Sequence, residues 1–426
     1  MGEPVDPQKG AGKPGSAANE IKLTLPETVG LYIHIPWCVR KCPYCDFNSH
    51  EVKVAGAVNE ATQDAELPEQ EYLAALLDDL KHDLPYVRKR PISSIFFGGG
   101  TPSLMSGAGM QSLMDSLRKV LAFTDDIEVT LEANPGTAER QRFADYFQAG
   151  INRLSIGVQS FDAEHLKALG RIHNPDDVFQ AVGYARDAGF KRLNLDLMYG
   201  LSGQTVDQAL NDLQTAIDLQ PEHISWYQLT IEPNTAFYKH TPVLPDESTL
   251  IAIQDAGLAL LADNGYQRYE VSAFAKPGEA SRHNINYWQF GDYLGIGAGA
   301  HGKMTQPHRR RILRLRKRRQ PDHYLAAAKH SLSQQDANLL NRYPYLADAM
   351  PVEPQELPLE FLMNALRLKA GFSRSLYTQR TGLPFDSITA KVEALKNRQL
   401  LTEEDEQITT TDLGYQYLNS VLEAFL

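Results

Sequence analysis

The sequence lacks any long hydrophobic run, and it has no excess of positive charge. No window reaches the roughly 18 consecutive apolar residues that a membrane-spanning helix requires. The 426 residues carry a net charge of −11, which excludes a general nucleic-acid binder because contact with phosphates needs a basic surface. Hydrophobic residues make up 42% and charged residues 22%, a balance typical of globular proteins and not of disordered or fibrous ones.

Cysteine is scarce as well. The three cysteines are Cys38, Cys42 and Cys45, and an odd, tight group of this kind suits metal ligation far better than a disulfide framework. Residues 1–25 are rich in glycine, proline and alanine and lack the apolar core of a signal peptide, so we expect a disordered tail and a cytoplasmic protein. In that compartment the thiols stay reduced.

Short apolar runs alternate with longer segments of helical period, which predicts repeated βα units around a parallel sheet. The predicted fold is α/β, a partial (β/α)6 TIM-like barrel over residues 26–300, followed by a basic linker region over 301–350 and a smaller domain over 351–426. The predicted strands are Gly30–Ile35, Ile92–Phe97, Ile127–Glu132, Arg153–Gln159, Arg192–Met198 and Ile224–Ile231. The predicted helices are Glu71–Leu84, Ala108–Leu121, Ala138–Ala149, Pro175–Ala188, Val206–Leu219 and Asp246–Asn264, with a closing hairpin around Leu400–Thr411.

Each predicted strand has one apolar and one polar face, because successive side chains point to opposite sides. In the fifth strand, for example, Leu193, Leu195 and Leu197 alternate with Asn194 and Asp196. A polar inner face suits a barrel that holds a polar ligand. Three polar residues, Glu132, Gln159 and Asp196, also fall near the carboxyl ends of strands, where barrel active sites are built.

The segment from Cys38 to Cys45 has the spacing C-x3-C-x2-C directly after the first predicted strand. A 4Fe-4S cluster normally takes four thiolates, so three would leave one iron open. An open coordination position distinguishes a reactive metal site from a closed structural one. The alternative is a structural zinc ion, with His34 or His50 as its fourth ligand.

Together with this spacing, Tyr44 before the last cysteine and the GGGTP turn at residues 98–102 resemble the radical S-adenosylmethionine (SAM) superfamily. The resemblance implies that the turn receives the amino group of the methionine part of SAM. It also implies that Glu132 accepts hydrogen bonds from the ribose hydroxyls and that Arg171 pairs with the carboxylate of SAM. The full set of implied SAM contacts is Tyr32, Tyr44, Gly99, Gly100, Thr101, Glu132, Gln159, Arg171 and Asp196.

Within this superfamily, the runs Tyr32–Cys38 and Gly157–Ser160 are similar to the oxygen-independent coproporphyrinogen III dehydrogenase group. The similarity extends to a C-terminal part that resembles that group's mostly helical, winged-helix-like appendage. True dehydrogenases carry a further cysteine two residues after the third one, and here that position is Phe47. Phenylalanine there is similar to the HemW-type branch, whose members bind heme and are regarded as heme chaperones.

The motif H-N-x-x-Y-W at residues 283–288 is characteristic of the same branch. It implies that His283 ligates heme iron and that Tyr287 and Trp288 pack against the porphyrin. His301 is a second candidate ligand. The expected partners are heme and heme-accepting proteins, and no nucleic acid.

Between Arg309 and Arg319, eight of eleven residues are basic. Such a run usually forms a solvated face or loop, and the alternative is peripheral contact with anionic lipid or with a membrane-associated acceptor. Three functions therefore stay open. They are a heme chaperone that retains a 4Fe-4S cluster and a SAM site, an enzyme for oxidative decarboxylation of coproporphyrinogen, and a scaffold stabilised by zinc.

Overall fold

A computed structural model describes residues 23–52, 67–137, 140–329 and 343–426 of the chain. Most of the expected disordered tail lies outside the described residues. The strands are β1 (Val29–Ile35), β2 (Trp37–Cys38), β3 (His50–Glu51), β4 (Ile92–Gly99), β5 (Phe123–Ala133), β6 (Arg153–Gln159), β7 (Leu193–Tyr199), β8 (His223–Gln228), β9 (Gln267–Glu270), β10 (Ala273–Ala275), β11 (Asp292–Ile296), β12 (His301–Gln306), β13 (Arg311–Lys317), β14 (Leu346–Pro351), β15 (Phe372–Ser373), β16 (Leu401–Glu404) and β17 (Gln407–Thr410).

The helices connect these strands and cover the outer face of the sheet. They are α1 (Glu69–Val87), α2 (Gly107–Val120), α3 (Arg140–Ala149), α4 (Ala163–Ala168), α5 (Pro175–Ala188), α6 (Val206–Asp218), α7 (Ala236–Lys239), α8 (Glu247–Asp263), α9 (Arg282–Trp288), α10 (Pro321–Ala328), α11 (Leu357–Ala365), α12 (Arg374–Thr381), α13 (Asp386–Asn397), α14 (Asp412–Gln416) and α15 (Leu418–Glu423). Among the helices in the described ranges, none is long and apolar enough to cross a bilayer.

The six predicted βα strands form one continuous parallel stretch of sheet, in the order β1, β4, β5, β6, β7, β8. This confirms the α/β partial barrel. A seventh strand, β11, pairs in parallel with the free side of β1. The sheet then continues into antiparallel β12, β13 and β14, while antiparallel β10 and β9 extend it beyond β8.

The predicted polar inner face is also present, and its side chains satisfy one another by hydrogen bonding. The Asn194 amide donates to the Ser155 hydroxyl over 2.7 Å and to the Asp196 carboxylate over 2.8 Å. The His223 Nδ1 lies 2.6 Å from the Asn194 Oδ1. These groups are largely buried, and buried polar groups are tolerated when they are paired in this way. The apolar faces pack outwards against the helices; Leu193, for example, is fully buried there.

The region expected to be a basic linker instead builds strands β12 to β14 of the large sheet. Most of the basic run lies in β13 and not in a loop, and Leu313 and Leu315 are buried in the main core. The exposed basic residues form a solvated face, as expected; they are Arg309, Arg310, Arg316, Arg318 and Arg319. Lys317 is buried as well, with its ammonium 2.5 Å from Asp79 and 2.6 Å from Asp83 of α1. These carboxylates come from far earlier in the chain, so the local charge pattern could not reveal them.

The C-terminal part has its own hydrophobic core, formed by residues between Val352 and Phe425. It is mostly helical, with a small antiparallel sheet in the order β15, β17, β16, as the resemblance implied. The predicted closing hairpin is confirmed as β16 and β17. Phe290 and Ile312 of the barrel join this second core, which fixes the appendage against the sheet edge.

Candidate metal and cofactor site

A cavity of about 540 Å³ opens at the carboxyl ends of the parallel strands. Its lining brings together residues that are distant in the sequence, because parallel strands all end at the same edge. All three cysteines line it, together with Tyr44, Gly99, Gly100, Thr101, Glu132, Gln159, Arg171 and Asp196. Eight of the nine implied SAM contacts therefore share one cavity with the cysteines.

The cysteines lie in the segment from β2 to β3, which we call the cysteine loop. Its two ends are joined by the parallel pairing of β2 with β3. Each thiol has polar groups nearby. The Thr101 hydroxyl donates to Cys38 over 3.6 Å, the Arg171 guanidinium donates to Cys42 over 3.7 Å, and the Ser49 hydroxyl lies 3.7 Å from Cys45. Burial raises the pKa of Cys38 to about 11, so a bound metal would have to drive the thiolate form.

The donor set fits a cluster with one open iron better than a closed zinc site. Both ring nitrogens of His34 are already engaged, Nδ1 with the Tyr32 hydroxyl and Nε2 with the Asn48 carbonyl, each over 2.9 Å. His50 is directed at the Asn48 side chain over 3.2 Å. Neither histidine is therefore placed as a fourth ligand.

The glycine turn after β4 lies tightly against the start of the cysteine loop. The Gly100 amide donates to the Ile35 carbonyl, and the Thr101 amide to the Trp37 carbonyl, both over 2.7 Å. A β-carbon on Gly100 would come within 2.4 Å of the Trp37 carbonyl oxygen. Gly99 adopts a φ of 114°, a conformation that glycine reaches without strain. Any larger residue would push this turn into the cysteine loop.

Two carboxylates face the cavity. The Gly99 amide donates to Glu132 over 3.0 Å, and Asp196 accepts from Ser155 and Asn194 over 2.8 Å each. Burial, and then repulsion from Asp196, raises the pKa of Glu132 to about 8. Burial also raises the pKa of Asp196. A positively charged ligand with hydroxyl groups would offset the negative charges of Glu132 and Asp196 and donate hydrogen bonds to them.

Arg171 and Gln159 are held in place beside these carboxylates. The Arg171 guanidinium donates to the Gly157 carbonyl over 2.8 Å, while its buried Nε has no hydrogen-bond partner among the described residues. Gln159 has a φ of 70°, a strained conformation for a residue with a side chain. Its side-chain oxygen accepts from the Tyr227 hydroxyl over 2.6 Å. Arg171 also lines the cavity, and the planar geometry of a guanidinium group suits an anionic ligand such as a carboxylate.

Tyr32 is the one implied SAM contact that does not line this cavity. It lines a second cavity, of about 810 Å³, which also includes His301 and shares Phe47, Gly99 and Glu132 with the first. Burial lowers the pKa of His301.

The implied heme residues are dispersed. Tyr287 lines the second cavity and Trp288 the first, and His283 lines neither. The His283 ring is 6% exposed and stacks on Phe96 with centroids 4.6 Å apart. Its backbone amide donates to buried Glu128 over 3.2 Å. His283 is thus part of the packing beneath the barrel mouth.

Comparison with known proteins agrees with this geometry. The sequence profile described as the radical SAM superfamily matches residues 32–216, and that of the HemN C-terminal domain matches residues 352–417. The heme chaperone HemW of Escherichia coli (strain K12) is 48% identical over 398 residues, which cover 93% of this chain and 98% of that protein. The chain belongs to the HemW family.

Other relatives of this HemW-family chain are more distant. The heme chaperone HemW of Bacillus subtilis (strain 168) is 32% identical over 93% of this chain and 98% of its own. The mitochondrial radical S-adenosyl methionine domain-containing protein 1 of Mus musculus is 38% identical over 65% of this chain and 60% of its own. A solved structure of coproporphyrinogen III oxidase (HemN) from Escherichia coli has a TM-score of 0.75 at 22% identity, covering 95% of this chain and 92% of that one. The last match shows the shared fold.

Sequence reasoning missed several residues of the site. Tyr227 lines the cavity and hydrogen-bonds to Gln159, and its place on the predicted sixth strand was a usable signal. Ser225 lines the cavity on the same strand, two residues earlier. Arg316 and Arg319 line the second cavity, but no local pattern links them to the barrel mouth.

Proposed function

We propose that this protein is a heme chaperone, which binds heme and delivers it to acceptor proteins while retaining a 4Fe-4S cluster and a SAM site. The relatives that carry the name heme chaperone match it over nearly their full length. Cys38, Cys42 and Cys45 are the proposed cluster ligands. When bound, the cluster would supply an open iron for the amino and carboxylate groups of SAM and an electron for its reductive cleavage.

The residues of the first cavity would orient SAM by complementary charge and hydrogen bonding. The turn at Gly99 and Gly100 brings backbone close to the ligand. Arg171 would offer its guanidinium group to the carboxylate, and Glu132 would offer an acceptor to the ribose hydroxyls. Asp196 adds a second negative charge against the sulfonium. Planar guanidinium and carboxylate groups match these partners geometrically.

Phe47 is the observation that favours a chaperone over a dehydrogenase. It occupies the position of the further cysteine in the dehydrogenase group, lines both cavities, and its side chain is 60% exposed. A phenyl ring can neither transfer a proton nor ligate a metal, but it can pack against a flat apolar ligand. Coproporphyrinogen decarboxylation is therefore the less supported alternative.

An anaerobic heme transfer assay tests the proposal. The full chain with a reconstituted cluster should take up a single heme and pass it to an apo-heme protein such as apomyoglobin. Incubation with SAM, dithionite and coproporphyrinogen should release no carbon dioxide over many turnovers. Sustained release of carbon dioxide would reject the chaperone in favour of the enzyme.

We further propose a cytoplasmic location, where the three thiols stay reduced and available to a cluster. Peripheral membrane contact through Arg309–Arg319 gains less support than the sequence alone suggested. Lys317 is buried and forms ion pairs with two carboxylates. Arg314 pairs with Glu360 and Arg316 with Asp348, so these three cations already have partners within the protein. Flotation with anionic vesicles, with and without charge reversal of the exposed Arg316, Arg318 and Arg319, tests this contact, and we expect no difference.

A further inference from the structure

A chain of hydrogen bonds runs from the first cavity through the barrel interior. It begins at Asp196, which lines that cavity, and it passes through Asn194 and His223 to the hydroxyl of Tyr269. The Asn194 Nδ2 lies 2.8 Å from the Asp196 carboxylate, and the His223 Nδ1 lies 2.6 Å from the Asn194 Oδ1. The Tyr269 hydroxyl lies 2.9 Å from the His223 Nε2. These side chains come from β7, β8 and β9, so the chain links the cofactor site to the far side of the barrel.

Every hydrogen bond of this chain points towards Asp196. An ionised carboxylate can only accept, so the Asn194 amide donates to it, and the Asn194 Oδ1 is left to accept from the His223 Nδ1. Burial lowers the pKa of His223 well below its usual value. The ring is therefore neutral, and its Nε2 accepts from the Tyr269 hydroxyl. Hydrogen bonds aligned in one direction polarise one another, so the negative charge on Asp196 strengthens the whole chain.

The chain ends on the first turn of α9. The Tyr269 oxygen accepts from the Ser281 backbone amide over 3.4 Å and from the Asn284 side-chain amide over 3.3 Å. Glu128 holds the same turn, because it accepts from the Ser281 hydroxyl over 3.4 Å and from the His283 backbone amide over 3.2 Å. All four distances exceed the usual value of about 2.9–3.0 Å. The inner side of this turn is therefore held weakly.

Helix α9 contributes side chains to both cavities. Tyr287 lines the second cavity and Trp288 the first, and the helix carries the H-N-x-x-Y-W motif that the family resemblance links to heme. On the exposed side, Arg282 pairs with Asp126, but ion pairs of this kind contribute little. A change in how firmly the first turn is held would therefore reach both cavities.

We propose that SAM binding loosens α9 through this chain, with His223 and Tyr269 as positioning residues, and that heme transfer is regulated in this way. The inference rests on the proposed function, which supplies both ligands. The positive charge of SAM would offset the charge of Asp196, so Asn194 would donate to a weaker acceptor. Each bond further along the chain then weakens as well, down to the two bonds on α9. SAM would thus act as an effector of heme transfer.

The other anchor of α9 offers no comparable connection to the cofactor. Glu128 is buried and pairs with Arg153 and Arg192 over 3.5 Å and 3.1 Å. None of these three residues lines the first cavity, so the charge of a ligand there does not reach α9 through them. Only the hydroxyl of Tyr269 joins the helix to a residue that contacts the cofactor site by an unbroken series of hydrogen bonds among the described residues.

Hydrogen–deuterium exchange of the full, cluster-reconstituted chain tests the coupling. It is measured anaerobically with and without SAM, and no reductant is added, so that SAM is not cleaved. The backbone amides of Arg282–Trp288 should exchange about fivefold or more faster with SAM, which is the lower end of common coupling between two sites. In Tyr269→Phe they should exchange fast with or without SAM. A wild-type chain that binds SAM with unchanged exchange in α9 overturns the inference.

Two further variants separate this chain from general loosening of the fold. Tyr266→Phe is the matched control, because its buried hydroxyl donates to the Pro221 carbonyl over 2.6 Å and lies outside the chain. Its α9 should respond to SAM as in the wild type. His223→Phe keeps a ring but removes both nitrogens, so its α9 should not respond. A response that survives in Tyr269→Phe or His223→Phe, or that is lost in Tyr266→Phe, overturns the assignment. Calorimetry of SAM binding reports that each variant has folded.

Transfer of hemin to apomyoglobin tests the consequence for function. SAM should speed the transfer by about fivefold or more in the wild type and in Tyr266→Phe, and it should have no effect in Tyr269→Phe. A wild-type rate that does not respond to SAM overturns the regulation and leaves the chaperone function intact. A wild-type chain that takes up no heme overturns the proposed function, and the regulation of heme transfer with it.

Discussion

Replacing Lys317 with methionine should destabilise the barrel strongly, because this lysine is a buried structural cation. Its ammonium lies 2.5 Å from Asp79 and 2.6 Å from Asp83. Methionine preserves most of the stem but leaves two buried carboxylates without a counter-charge. Breaking a buried ion pair by removing one partner costs about 3–5 kcal/mol, so we expect a loss of that size in the free energy of unfolding at neutral pH.

The loss should depend on pH in a defined direction. Burial raises the pKa of Asp83 to about 6 even with Lys317 beside it, and removal of the cation raises it further. A carboxyl group whose pKa is higher in the folded than in the unfolded state, where it is about 3.9, binds more protons when folded. Its stabilising contribution is full below the unfolded pKa and is lost as the pH rises through the folded pKa. The deficit of Lys317→Met should therefore be smaller at about pH 5.5 than at about pH 8.

Urea unfolding of the full chain under anaerobic conditions measures this deficit. The chain has three tryptophans, and all lie in or beside the large sheet, so their fluorescence reports its unfolding. Arg316→Met is the matched control on the same strand, since its exposed pair with Asp348 should contribute less than about 1 kcal/mol. Equal losses in the two variants, or a larger deficit for Lys317→Met at the lower pH, would show that Lys317 does not act as a buried counter-charge.

Three further predictions concern the cavities. Burial and Asp196 raise the pKa of Glu132 to about 8, and cationic SAM favours the ionised carboxylate, so SAM affinity measured by anaerobic calorimetry should rise between about pH 7 and pH 9. If the same rise in affinity persists in Glu132→Gln, another group causes it. In Gly100→Ala the added β-carbon would collide with the Trp37 carbonyl oxygen, so SAM binding should weaken by about tenfold or more. The control variant Gly183→Ala adds a methyl group in open space and should leave SAM binding unchanged. Phe47→Ala should weaken heme binding by about two- to tenfold through loss of an aromatic contact, and unchanged affinity would remove this ring from the heme site.

The sequence predicted the barrel well because its periodicity is local. The predicted strand at Arg153–Gln159 matches β6 residue for residue, and strand parity identified the polar interior around Asn194. Strand parity could not predict which of the two cavities Tyr32 lines. Parity places that side chain inside the barrel, but two adjacent cavities meet there and only their three-dimensional shape separates them.

The basic run and the heme motif show where local patterns stop being informative. Lys317 is buried against Asp79 and Asp83, which lie more than 200 residues earlier, so its neighbours in the sequence could not reveal its burial. The motif at residues 283–288 implies a heme ligand, but it does not reveal that the His283 backbone amide donates to buried Glu128. In each case the partner is a buried carboxylate that is distant in the sequence.

Mössbauer spectroscopy can show whether three cysteines hold a cluster with one open iron beside a SAM site. The spectra are recorded anaerobically on iron-57 reconstituted protein, with and without SAM. We predict the signal of a 4Fe-4S cluster in which one iron differs from the other three and shifts when SAM is added, and loss of this signal in Cys42→Ser. A colourless protein that contains zinc, or a cluster whose irons do not respond to SAM, would rule out the proposed site.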